Sequence, residues 1–458
     1  MGSTRLISQF CADTSFEDLP SDVVDAAKLA ILDALGCAVG SRREEPSRIQ
    51  IIGKLLSALG IQGGKSTLIG EKGSTTAAAA AFANGILCHS IDFDDLHAQA
   101  LTHTSCVVMP AALATAEERG LGGRELITSF ILGYEVAVRI GMAVMPSHYD
   151  YWHSTATNGI FGATVAAGKN YSFSSEQFIS AIGFGATQSA GLLTYLDSGD
   201  FSKSLNPGKA AFNGVLSAQL VQAGAQGPAH ALEHAKGYIS AYSKAPGIKT
   251  LEAALEKLGW KWELLENILK PFPSLTASHN AMEITLGLTA RHDIHWQDVE
   301  RIVIRTYSVV RSHFSNFAPS TVMAARLSVP YCVAACVVTR TGGLDAFRRD
   351  VIHSEPIRSL LGKIDVVADT SLDQLYPELF PCEVQIQMKD AQIFSGYKAI
   401  VKGSSKEPFS MADASEKFEM LAEPYIGKEA CKALVAQVKG LERLNRVSEL
   451  TQNLRQPG

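Results

Sequence analysis

Apolar residues recur at helical spacing through about the first 250 residues, and strand-like alternation is nearly absent there. A chain with this pattern must bury one helix against the next. Between Asp22 and Val39 the recurring set is Val23, Val24, Ala27, Leu29, Ala30, Leu32, Leu35 and Val39. Pro20-Ser21 suits the start of that helix, and Gly40 suits its end. Thr75–Ile91 is alanine-rich with small residues all round, which predicts a closely packed, buried helix. Further helices are expected over Val107–Glu118, Gly123–Met145, Ala156–Lys169, Ser175–Leu193 and Ala210–Ala225, with Gly and Pro between them.

The texture changes near residue 265. Val299–Tyr307 and Glu383–Met388 alternate apolar and polar residues with β-branched enrichment, as half-buried strands do. Ile364–Val367 is a shorter candidate, and Gln392–Ile400 can pair with Glu383–Met388 through a turn at Lys389-Asp390-Ala391. Helices are expected at Ala277–Arg291 and Thr321–Thr339. The organisation read from this is mainly α: helical residues 1–266, an α+β unit over 267–400, and a 401–458 tail. The tail, helical from Asp413 through Val447, is expected to pack back on the first part.

Composition narrows the function. The 458 residues carry 41 basic and 46 acidic side chains, a net charge of −5, with 46% hydrophobic and 19% charged residues. That supports a sizeable core and excludes a disordered chain. It argues against nucleic-acid binding, which usually brings a basic excess, but leaves room for a local basic pocket. The densest apolar runs, such as Val329–Val338, fall short of the ~20 residues of a spanning helix, and no secretory signal opens the chain. Met1-Gly2 begins like a myristoylation site, but Leu6 stands where Ser or Thr is required, and Gln456-Pro457-Gly458 carries no readable address. No cysteine pair has CxxC spacing; Cys332 and Cys336 share a helix face as core thiols. A cytoplasmic protein with reduced cysteines and no membrane or nucleic-acid partner is the expectation.

Four segments concentrate chemistry. His89–Ser105 (HSIDFDDLHAQALTHTS) holds Asp92, Asp94, Asp95, His89, His97 and His103 directly after an apolar helix. Ionisable groups at that density beside buried structure are costly unless solvated, paired or functional. They could cap and satisfy a helix end, serve in proton transfer, or ligate zinc or iron, although no HxH, HExxH or CxxC spacing supports a metal. Tyr151–Gly162 (YWHSTATNGIFG) places His153 before a helix start, where backbone N–H groups and the Ser154, Thr155 and Thr157 hydroxyls could receive a carboxylate. Ser202–Ala218 carries Asn206-Pro207-Gly208, which predicts a turn, with Lys203 before it and Lys209 at the following helix start. Asn267–His279 (NILKPFPSLTASH) sets Lys270 in an extended stretch ahead of Pro271, at the change of texture, where ligand clefts are common.

Together these segments resemble the MmgE/PrpD family, which includes 2-methylcitrate dehydratases and cis-aconitate decarboxylases. The likeness runs in order through DLPSDVVDAAKLAILDALGCAVGS, HSIDFDDLH…THTS, WHSTATNGIFGA, KSLNPGKAAFNGVLSA, KPFPSLTASH and ARLSVPYCVAA, to about residue 340. The resemblance implies a large all-helical domain formed by the N-terminal part and the C-terminal tail. It also implies a smaller inserted α+β lid domain, a homodimer, and no organic cofactor, while the lack of metal-ligand spacing sets the expectation of no metal. It places site positions on Asp92, His103, His153, Lys203, Lys270 and Tyr331, with Thr155 added from the His153 helix start. Departures from the family pattern are Thr104 after His103, Ser154 after His153, Leu275 near Lys270, and an Asp95–His103 stretch one residue longer than in many members. They bear on substrate more than on reaction class.

The residue types suit a citrate- or aconitate-like polycarboxylate. Lys203 and Lys270 can neutralise its carboxylates, His103 can move a proton, Asp92 can orient a neighbouring histidine, and His153 can bind a carboxylate or act as a second acid. Decarboxylation, dehydration and epimerisation all pass through a carbanion-like species next to a carboxylate. The length of the Asp95–His103 stretch tilts the reading towards decarboxylation. A metal-dependent hydrolase and a non-catalytic scaffold are the competing classes.

Overall fold

A computed structural model describes residues 2–455 except 62, 199, 245 and 246; Met1 and the Gln456–Gly458 terminus, both read above for addresses, lie outside the described residues. The chain divides into two compact units. One comprises Met1–Leu193, Phe201–Asn267 and Phe409–Gly458, and the other Thr194–Asp200 with Ile268–Pro408.

The first unit is helical. Its core helices are Ser21–Glu44, Ala77–His89, Ser105–Arg119, Gly123–Val144, Ser154–Asn170, Ser175–Gln188 and Ser202–Gln222. Ser154–Asn170 packs against Ser105–Arg119, Gly123–Val144 and Ser202–Gln222, and Met411–Ile426, the first helix of the C-terminal segment, packs on Ser21–Glu44. Small residues permit this closeness. A Cβ on Gly133 would stand 2.5 Å from the Gly162 carbonyl oxygen, and one on Gly162 2.6 Å from that of Gly133. The alanine-rich helix is buried as its composition requires; Thr76 caps it by accepting from the Ala79 N–H. Gly123–Val144 has the length and apolarity of a membrane span, yet 94% of its apolar window is buried within the protein, including a Glu135–Arg139 ion pair of 3.1 Å.

Two local expectations fail for packing reasons. The helix expected to stop at Gly40 continues to Glu44. Gly40 serves contact instead: a Cβ there would lie 3.1 Å from Leu421 of the helix Met411–Ile426. Asn206-Pro207-Gly208 makes no turn but lies inside the helix Ser202–Gln222. Pro207 lies in the second turn and forgoes one intrahelical hydrogen bond without ending the helix, and Gly208 lets the backbone approach Phe82 and Ile86. One helix therefore carries both lysines, with Lys203 buried and Lys209 exposed, so the two do not converge on one anion.

The second unit holds a four-stranded sheet in the order Ile364–Ala368, Val299–Thr306, Cys382–Met388, Ile393–Lys398. The first pair is parallel, with Ile302 opposite Ile364, and the others are antiparallel. The hairpin turns where the sequence indicates, with Ala391 left-handed at φ 70°. The helix expected over Thr321–Thr339 is two, Val322–Arg326 and Val329–Thr339. Ser328 and Pro330 restart it, the Ser328 hydroxyl accepting from the Tyr331 N–H. Cys332 and Cys336 lie on that second helix, and all eight cysteines are buried thiols.

Candidate active site

The helix Ala77–His89 ends at its last residue, His89, and the chain then folds into a tight loop before Ser105 opens the next helix. The loop is pinned on several sides. His97 and Thr102 exchange backbone hydrogen bonds of 2.9 and 3.4 Å. The Asp95 carboxylate accepts from the Ser105 N–H at 3.2 Å and hydroxyl at 2.6 Å. Ser154 Oγ donates to the Leu101 carbonyl, and the His103 N–H donates to Thr155 Oγ1 at 3.1 Å. Lys417, far along the chain, donates to the Phe93 carbonyl at 2.6 Å. Asp92 (φ 53°) and Leu101 (φ 45°) both take the left-handed conformation that L-residues disfavour. Such strain persists only where the surroundings over-determine it, which is common at functional sites.

This pinning brings three imidazoles, two carboxylates and an ammonium together. Asp94 faces His89 Nδ1 through both oxygens, at 3.0 and 2.8 Å, and the nearer one, Oδ2, lies 3.6 Å from His103 Nδ1. The His89 ring centroid is 4.6 Å from that of His103 and 5.8 Å from that of His153. Lys203 Nζ pairs with Asp92 Oδ1 at 2.7 Å. Asn206 Nδ2 donates to His153 Nδ1 at 3.2 Å. That bond favours the neutral tautomer with its proton on Nε2. His89, His153, Asp92, Asp94 and Lys203 are buried, while the His103 side chain keeps 14% exposure.

Burial pushes the His153 ring well below the ordinary histidine range, and the neighbouring His89, Lys203 and His103 charges push the same way. His153 is therefore a neutral donor near pH 7. Burial also raises Asp95, to about 7, against the lowering effect of its Ser105 hydrogen bonds.

Five of the seven residues singled out from sequence, Asp92, His103, His153, Thr155 and Lys203, come together in the first unit. Lys270 and Tyr331 belong to the second. Lys270 is buried there, and Tyr331, also buried, donates its hydroxyl to the Ala346 carbonyl at 2.6 Å. The structure adds detail to two of these roles. Asp94 bonds His89 and faces His103, while Asp92 pairs with Lys203 and keeps an oxygen within 4.8 Å of a ring nitrogen of His89 and of His103. The hydroxyls of the His153 helix start are engaged by protein: Ser154 on Leu101, Thr155 on His103, and Thr157 with His148 Nε2 at 2.6 Å. Thr155 thus holds the His103 backbone.

Sequence reasoning did not assign His89, Asp94, Asn206 or Lys417. The first two stood inside the quoted segment, and only their five-residue spacing across a helix end hinted at contact. Asn206 was read as a turn residue, and Lys417 has no local signal at all.

Among the described residues, two groups offer metal-type donors within 4.8 Å of one another, His89–Asp94–Cys106 and His89–Asp92–His103. In the second group the Lys203 ammonium already pairs with Asp92 at 2.7 Å, a partner that a cation would have to displace. The arrangement is better suited to moving a proton beside a bound anion.

Residues 5–251 match the MmgE/PrpD N-terminal domain and residues 272–442 the MmgE/PrpD C-terminal domain. The chain is 26% identical over 479 aligned residues to a cis-aconitate decarboxylase of Aspergillus terreus, covering 100% of this chain and 96% of that protein. It is 27% identical to the Homo sapiens cis-aconitate decarboxylase, covering 82% of this chain and 79% of that one. The Mus musculus cis-aconitate decarboxylase is 25% identical, with 96% and 90% covered. The two domain matches span most of the sequence, and the chain belongs to the MmgE/PrpD family.

Proposed function

We propose that this MmgE/PrpD lyase decarboxylates a small polycarboxylate of the cis-aconitate type, without an organic cofactor, by proton transfer from His103. The observation that carries the reading is His103 itself. It is the one accessible ring of a buried histidine–carboxylate cluster, with a lysine beside it. The similarity to cis-aconitate decarboxylases along the full chain supports the substrate class.

In this reading the carbon–carbon bond to the departing carboxylate breaks, carbon dioxide leaves, and the electron pair stays on the substrate, spread towards its unsaturated neighbour. Protonated His103 delivers a proton to that carbanion and is reprotonated from water. Lys203 and the neutral His153 N–H hold a remaining carboxylate, so that charge is stabilised where it develops. The expected roles of Lys270 and Tyr331 in substrate binding rest on the family resemblance.

The test is proton NMR of the purified protein in deuterated buffer with cis-aconitate, 2-methylcitrate and citrate in separate tubes. Loss of a carboxylate from cis-aconitate is the expected outcome. Water loss from 2-methylcitrate would replace the reading with an alkylcitrate dehydratase. Deuterium exchange without a new product would replace it with an epimerase, and turnover abolished by chelator would favour a metal-dependent hydrolase.

A further inference from the structure

His89 has a particular geometry. Its ring is buried, Nδ1 is engaged by both Asp94 oxygens, and Nε2 meets no hydrogen-bond partner among the described residues. An orphaned buried ring nitrogen costs stability, and phenylalanine of similar size would avoid that cost. Asp94 is shared, with its Oδ2 2.8 Å from His89 Nδ1 and 3.6 Å from His103 Nδ1.

We propose that Asp94 and His89 work as one buried positioning pair, which orients the His103 imidazole and sets its protonation. Asp94 lies against two rings and is backed by the Nδ1–H of His89. That hydrogen bond fixes the carboxylate rotamer, as a second partner orients a histidine in other proton-transfer sites. The negative charge of Asp94 next to His103 favours imidazolium, the form needed to donate a proton. The other charged or titratable groups of this cluster are Asp92 with its Lys203, His153, Asp95 and the Cys88 and Cys106 thiols. Asp92 is offset by Lys203, His153 is held neutral, and burial keeps the thiols protonated. Asp94 is therefore the carboxylate that acts on His103 most directly.

This rests on the reading of His103 as the proton donor, but its test needs no substrate. Protein labelled with nitrogen-15 histidine is titrated by NMR, with resonances assigned from His89→Asn and His103→Ala. The wild type should show His89 protonated on Nδ1, and Asp94→Asn should move the His103 midpoint down by about one pH unit. In turnover assays Asp94→Asn and His89→Phe should each lower kcat about 10–100-fold with KM nearly unchanged, and shift the kcat profile to lower pH. His89→Asn, which retains a donor towards Asp94, should restore part of that loss. A His89 ring protonated on Nε2 alone, or a His103 midpoint that Asp94→Asn leaves in place, would overturn the pair. Should Asp94→Asn fail to fold, the wild-type tautomer and the His89→Phe to His89→Asn comparison decide. Absence of turnover on cis-aconitate with the NMR behaviour intact would instead remove the proposed substrate.

Discussion

Two buried lysine–aspartate pairs in the first unit have nearly the same geometry and quite different surroundings. Lys203–Asp92 closes at 2.7 Å and Lys417–Asp33 at 2.6 Å, all four side chains buried. Lys417 also donates to the Phe93 carbonyl and sits 4.0 Å from the centre of the Phe93 ring. Asp33 faces the buried thiols of Cys37 and Cys88, whose ionisation it disfavours. That pair ties the helix Met411–Ile426 to the helix Ser21–Glu44 and braces the loop from behind. The Lys203 pair instead borders three imidazoles, and its aspartate sits on left-handed backbone. A buried ion pair alone does not distinguish a brace from a site. Its neighbours do, above all a nearby ring with access to solvent.

Substitution should separate the two regions. The largest expected effect is at His103: His103→Ala should lower kcat by ~10²–10⁴ while circular dichroism and melting temperature stay near wild type. Normal turnover in that folded variant would dissolve the contrast between site and brace. Next come the pairs themselves. Lys417→Met alone should cost about 3–5 kcal/mol in denaturant unfolding, because Asp33 is left buried and uncompensated. Adding Asp33→Leu should recover most of the stability with activity retained. Asp92→Asn with Lys203→Met should likewise fold, yet lose about 10²-fold in kcat/KM. If both double variants behave alike, the distinction between the pairs fails.

A smaller effect is expected at Lys270. Lys270→Ala should raise KM more than it lowers kcat, as steady-state kinetics would show; unchanged KM would remove this residue from the substrate site. The smallest concerns Asp95, whose folded value of about 7 lies above its ordinary range. Between about pH 4 and 7 the folded state holds a proton that the unfolded state has released. Stability from this group is full below pH 4 and is lost as pH rises to about 7. Asp95→Asn should flatten that part of the melting-temperature profile, measured from pH 4 to 8.

Much of the fold was legible because helical periodicity and strand alternation are local properties. The strands Val299–Thr306 and Cys382–Met388 and the hairpin at Ala391 fell within a residue or so of expectation. Gly40 and Asn206-Pro207-Gly208 misled because a glycine or proline that looks like a stop can also be a packing contact with a distant helix. At the site, the segment His89–Ser105 stood out by residue type, whereas its companions His153 and Lys203 stood out only through the ordered family resemblance. Which carboxylate meets which ring was not legible. Asp92 and Asp94 are two apart, and the left-handed turn at Asp92 sends one to Lys203 and the other to His89 and His103. Lys417 supports that turn from 324 residues beyond Phe93, a contact that only the packed structure reveals.

The most direct test of the account is the deuterium content of the product formed from cis-aconitate in deuterated buffer. The account predicts release of carbon dioxide and one carbon-bound deuterium per turnover in the wild type, with product formation falling ~10²–10⁴-fold in His103→Ala. Unlabelled product, no carbon dioxide, or equal rates in the two proteins would contradict it.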